Sequence, residues 1–194
     1  MPEKTLNYYR KKIQYALIDH DKDAVDKEIK NAMIYLESGE YSHEPIIFRT
    51  FFQMAKVMSN LQHSPKETYL YNVRIIDNIL RLQHLLNNHK LGDILLLKGV
   101  NAHYSGNKDD VYYSYKEAYE YYISGETSRY WVKKALLEEN VLYSFSVLGI
   151  YEAGFDVSFF SEKCRKRLTN TKIKTFKASG IQRTGDLCLN LPLI

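Results

Sequence analysis

Cysteine, proline and glycine are all scarce in this chain, and each shortage removes a class of structure. Two cysteines, Cys164 and Cys188, make no disulfide framework, and neither belongs to a C-x-x-C pair that would hold zinc or run redox chemistry. Four prolines and nine glycines in 194 residues leave few breakers, which favours long helices over short strands and turns. Long apolar runs are missing as well: the aliphatic stretch at 94–97 is far too short to span a bilayer. The first residues, Met-Pro-Glu-Lys-Thr-Leu-Asn-Tyr-Tyr-Arg, contain no apolar core of signal-peptide length. A reducing cytoplasm is therefore the expected compartment.

The signatures of common chemistry are equally thin. There is no G-x-G-x-x-G, no Walker loop and no nucleophile elbow. Asp19, Asp21 and Asp23 imitate the opening of an EF-hand, but Ala24 stands where that loop needs glycine and Lys30 where it needs glutamate. The six histidines, at 20, 43, 63, 84, 89 and 103, include no H-E-x-x-H and no partner at metal-ligand spacing. Asp109 with Asp110, and Glu138 with Glu139, are neighbours in sequence; adjacent residues on a helix diverge, so neither pair is a catalytic dyad. The expectation is a protein with no enzymatic activity, no cofactor and no metal.

What the chain has in abundance is helix pattern. Residues 4–18 place Leu6, Tyr9, Ile13, Ala16 and Leu17 on one side. An acidic start at Asp19 and Asp21, suited to a helix N-terminus, opens a second helix that reaches Ser38, with Val25, Ile29, Ala32, Met33 and Leu36 inward and Gly39 as its cap. A third starts near Ser42 and carries Phe48, Phe51, Phe52, Ala55 and Met58. Ser64, Pro65 and Glu67 have the form of a capping box, predicting a fourth helix with Leu70, Val73, Ile76, Asp77, Leu80 and His84 on one stripe, ended by Asn87, Asn88 and His89. A fifth covers 91–104. A sixth, capped by Asp109 or Asp110, covers 111–123. A seventh runs from Thr127 or Ser128 towards Gly154, with a break near Gly149, and an eighth from Asp156 to Leu168.

Taken in pairs, the helices fill 4–38, 42–88, 91–124 and 127–168, each the size of a helical repeat unit. The predicted fold is all-α: about eight helices in antiparallel pairs, stacked as a solenoid or bundle over 1–168, followed by a tail at 169–194. With Gly99 aligned on the repeat's glycine, Tyr115 and Ala118 fall on its second-helix aromatic and small residue, and on these positions the third pair resembles the tetratricopeptide repeat. Lys98, Ala102 and Ile123 depart from that pattern. Over about 42–168 the texture is similar to the peptide-sensing regulators of Gram-positive bacteria and their phages (the Rgg, PlcR and Rap group). That resemblance implies a right-handed superhelix whose concave face binds a short peptide. The helix-turn-helix of its DNA-binding members has no counterpart recognised in 1–60.

Two surfaces are candidates for binding. Seventeen tyrosines combine apolar area with a hydroxyl, suiting both helix packing and a groove. Tyr112, Tyr115, Tyr119 and Tyr122 form a stripe, with Tyr104 before it and Tyr130 and Trp131 after it. Tyr115 is expected in the core; Tyr104, Tyr112, Tyr119, Tyr122, Tyr130 and Trp131 are the candidate peptide or protein contacts. The second surface is basic. Residues 163–194 carry eight cations against Asp186 alone, on a body that is otherwise mildly acidic. Arg165, Lys166, Arg167, Lys172, Lys174 and Lys177 are the candidate contacts of the alternative reading, nucleic-acid association through 163–183; complementing a helix dipole is their structural role. The apolar C-terminus leaves docking on the body or a homodimer open.

Overall fold

The computed structural model describes residues 5–39, 45–124 and 128–170. Among these residues the fold is all-α, with eight α-helices and no strand: α1 Leu6–Ile18, α2 Lys22–Glu37, α3 Pro45–His63, α4 Tyr69–Leu80, α5 Asn88–Ser105, α6 Lys108–Ile123, α7 Ser128–Leu148 and α8 Glu162–Asn170. A single 3-10 turn, Gln83–Leu85, precedes α5. Within the expected helical region the chain forms two compact units, parting between Leu82 and Gln83. The tail beyond Asn170 lies outside the described residues.

In the first unit, local sequence sets the helix starts. Thr5 caps α1 by accepting from the Tyr8 N–H at 3.3 Å, and Asp21 caps α2 by accepting from Ala24 at 2.9 Å. The aspartate read as a false EF-hand is thus a helix cap. His20, with φ 54, makes the left-handed turn between the two helices. α1 buries the expected set, Leu6, Tyr9, Ile13, Ala16 and Leu17. α3 packs against α1, α2 and α4, so it is buried on most of its circumference through Phe51, Phe52, Met54, Ala55, Val57, Met58 and Leu61. Asn60 donates to the Asn72 side-chain carbonyl at 2.7 Å, fastening α3 to α4 inside the core.

The capping box at Ser64 is not formed. α3 continues to His63 and the Ser64 N–H still bonds back to Asn60 at 2.8 Å, so Ser64 belongs to the end of α3. Pro65 is buried in the corner, and α4 begins only after Thr68, which makes no side-chain cap. The helix also turns a different face inward: its inner face is Asn72, Ile76 and Ile79, while Leu70, Asp77 and His84 of the expected stripe are exposed. Asn87, read as a terminator, instead caps α5 by accepting from Lys90 at 2.9 Å.

The second unit is built around α5, whose residues 91–97 are all buried because α6 and α7 cover it. Two glycines seven residues apart let α6 come close. A Cβ at Gly92 would lie 2.4 Å from Tyr122 Cε1, and one at Gly99 would lie 2.2 Å from Tyr115 Cε1. Each ring fills a notch that no other residue type leaves open. Asn107, rather than Asp109 or Asp110, caps α6 by accepting from Asp110 at 3.2 Å. α7 ends at Leu148, before the left-handed Gly149. α8 starts later than expected: Ser161 caps it, accepting from Cys164 at 3.1 Å, while Asp156 folds back onto Ser158.

Candidate functional site

The tyrosine stripe is core, not groove. Tyr112, Tyr119 and Tyr122 are 5%, 3% and 1% exposed, and Tyr115 is fully buried. The expected exposure of Tyr112 and Tyr119 fails because α6 is covered from two sides. Beyond α5 and α7, the segment before α8 closes over it: Tyr112 meets Phe155 at 4.7 Å and Tyr119 meets Phe160 at 5.2 Å. Hydroxyls find partners inside. Tyr112 donates to the Asp156 carbonyl at 2.9 Å, Tyr115 pairs with the Ser144 hydroxyl at 3.2 Å, and Tyr122 donates to the Asp93 carboxylate at 2.8 Å. Tyr104 is half-buried against His103. Tyr130 and Trp131 lie on the first turn of α7, and their side chains are outside what the structure describes.

Around Tyr122 the structure assembles a polar cluster that spacing alone does not reveal. Lys133 of α7 contacts the carboxylate of Asp93 on α5, and the two side chains are 2% and 1% exposed. His89, one turn before Asp93, places Nδ1 3.2 Å from the Lys133 ammonium and 3.6 Å from the Asp93 carboxylate. Burial pushes the Asp93 carboxyl up, but the bonds from His89, Lys133 and Tyr122 outweigh it and hold it below the usual carboxylate range. The Tyr122 phenol goes well above its ordinary value, through burial and the adjacent Asp93 charge. One sequence signal was available: an aspartate inside the apolar run Gly92 to Leu97, on a helix without a polar side. The cluster draws α5, α6 and α7 together, and its charges are closed to solvent. Its ordinary consequence is helix register.

Two other titratable groups of the second unit are buried. Burial pushes His103 down to about 4, which keeps it neutral near pH 7, with its ring 5.3 Å from Tyr143. The Cys164 thiol is buried and pushed up to about 12, so it is not a reactive thiolate. Among the described residues, no three His, Cys, Asp or Glu side chains gather as a metal site requires.

The basic candidates are split. Arg165, Lys166 and Arg167 are exposed on α8, whereas Lys172, Lys174 and Lys177 lie outside the described residues. Arg167 grips Glu139 of α7 through both terminal nitrogens, one of them at 3.0 Å, and Lys166 pairs with Glu162 at 2.7 Å.

Several large apolar side chains do face outward. Leu70 and Tyr71 on α4 are 69% and 52% exposed, and Tyr113 on α6 is 56% exposed. None of the three was among the expected contacts. No described helix is long and apolar enough to cross a membrane. Compared with protein-family models, curated proteins and solved structures, the chain matches none.

Proposed function

We propose that this is a regulatory or scaffolding protein of the cytoplasm, without chemistry of its own, that binds a peptide or protein partner on the faces of its helix hairpins. Tetratricopeptide-like stacking of those hairpins belongs to the same proposal. The observation that carries it is the set of large apolar side chains left outward on helices whose inner faces are already filled. α4 buries Asn72, Ile76 and Ile79 yet presents Leu70 and Tyr71; α6 buries four tyrosines yet presents Tyr113. Exposed aromatic anchors of this kind supply contact area at low entropic cost. The nucleic-acid alternative draws little from the described part of its segment, where Lys166 and Arg167 already have carboxylate partners.

The test is selection of a random peptide library on the intact chain. Enriched peptides should lose binding, by tenfold or more for an anchor, in Leu70→Ser/Tyr71→Ser or in Tyr113→Ser. A library that yields no binder, or binders indifferent to both variants, refutes the reading.

A further inference from the structure

α6 carries opposite chemistries on its two sides. Inward are Val111, Tyr112, Tyr115, Ala118, Tyr119 and Tyr122. Outward, Asp109, Tyr113, Glu117 and Glu120 follow one another at spacings of four, four and three, so they form one stripe, and all four are exposed. Asp110, held by Asn107 at 2.7 Å, adds a further exposed carboxylate beside them, and Ile123 is a second exposed apolar side chain at the end of the helix. No ion pair among the described residues neutralises Asp109, Glu117 or Glu120. Of the two cations of the same helix, Lys116 sits over the Phe159 ring at 5.7 Å, and Lys108, exposed on the first turn, makes no ion pair with these carboxylates. Glu117 and Glu120 are also at a spacing where like charges repel on a helix. The face therefore combines uncompensated carboxylates with an open aromatic ring, and a cationic partner would relieve the one while covering the other. The α4 face differs in charge: Arg74 is exposed one turn from Leu70 and Tyr71, and Asp77 one turn further on.

We infer that the outer face of α6 docks a partner polypeptide segment in which lysine or arginine alternates with apolar residues. Its cations meet Asp109, Glu117 and Glu120, and an apolar side chain packs on Tyr113. This rests on the reading that the chain binds a peptide or protein, and it adds where and to what.

The probe is a fluorescent twelve-residue synthetic peptide alternating lysine with leucine and phenylalanine, titrated into the intact chain by anisotropy. Its counterpart has glutamate for every lysine. The lysine peptide should bind more tightly than the glutamate one and weaken steeply with salt. Asp109→Asn/Glu117→Gln/Glu120→Gln should weaken it about tenfold, as three surface charge contacts would. Tyr113→Ser should weaken it again, and Leu70→Ser/Tyr71→Ser should not. Unchanged circular dichroism and melting in each variant confirm that the fold is retained. Equal affinity for both peptides, indifference to neutralisation, or response to the α4 variant alone overturns the inference. The last of these leaves peptide binding itself standing. Concentration-dependent self-association abolished by the neutralising variant also overturns it, since the occupant would then be a second copy.

Discussion

Removing the Lys133 ammonium while leaving Asp93 in place should be among the most destabilising changes available to the second unit. In Lys133→Met the Asp93 carboxylate, 1% exposed, keeps only Tyr122 and His89. Breaking one side of a buried pair typically costs about 3 to 5 kcal/mol, against a total stability of about 5 to 15 kcal/mol for an ordinary domain. At about 4 °C per kcal/mol the melting temperature should fall by on the order of 15 °C. Replacing both partners, Asp93→Leu/Lys133→Met, removes the unpaired charge and leaves the Tyr122 hydroxyl without an acceptor, a loss of about 1 to 3 kcal/mol. Adding Tyr122→Phe should recover most of that. The assay is urea unfolding followed by far-ultraviolet circular dichroism, read on the transition of the second unit if the two units unfold separately. A pH series adds a signed check. The folded-state value of Asp93 is depressed below the unfolded value of about 3.9, so its contribution is complete above that pH and is lost as pH falls through the folded value. Single variants that each cost less than about 1 kcal/mol, or whose costs simply add in the double variant, would refute the claim of a desolvated, coupled pair.

Three further outcomes follow from packing and burial. Gly99→Ala should destabilise by about 1 to 3 kcal/mol, because its methyl meets the Tyr115 ring; urea midpoints measure it, and no change would mean that α5 and α6 are not so close. Tyr119→Ala should cost about 3 to 5 kcal/mol by the cavity it leaves, whereas Tyr113→Ala should stay within about 0.5 kcal/mol, and thermal melts of the pair separate core from surface. His103 is pushed down to about 4, below the unfolded value of about 6.5, so the unfolded chain takes up the proton first. Stability should fall as pH drops through that window, by about 3 kcal/mol in full, and His103→Phe should flatten that part of the curve.

The helices that were legible in sequence are those that bury one face and leave the other to solvent, as α1 does against α2 and α3. α1 shows all five of its inward residues by spacing, and the Asp21 cap could be read directly as an acidic helix start. Ser64 misled because a capping box states only that a helix could begin there. Whether it does depends on where the preceding helix stops, and α3 runs up to His63 with the Ser64 N–H still bonded back to Asn60. The same limit applies to the tyrosines. Periodicity identifies a stripe; it does not report how wide an arc is covered. Phe155, Phe159 and Phe160 cover it from the stretch between α7 and α8, the latter part of which is predicted as the start of the eighth helix.

The buried ion pair was the hardest feature to foresee, for a reason that also explains the outward face of α6. Lys133 and Lys134 are adjacent and chemically identical, yet one is 2% exposed against Asp93, forty residues away in sequence, and the other lies over the Tyr119 ring at 5.2 Å. Nothing local separates them; the partner does. The carboxylates of α6 present the converse case. Asp109, Glu117 and Glu120 alternate in register with the tyrosines of the same helix, and once the inner stripe is known to be filled, the outer one is fixed by geometry. Asp109, in the first turn, suits the helix N-terminus, but Glu117 and Glu120 lie beyond it, three residues apart, where like charges oppose the helix. On the docking proposed above, the sign of that charge specifies the partner that could meet it.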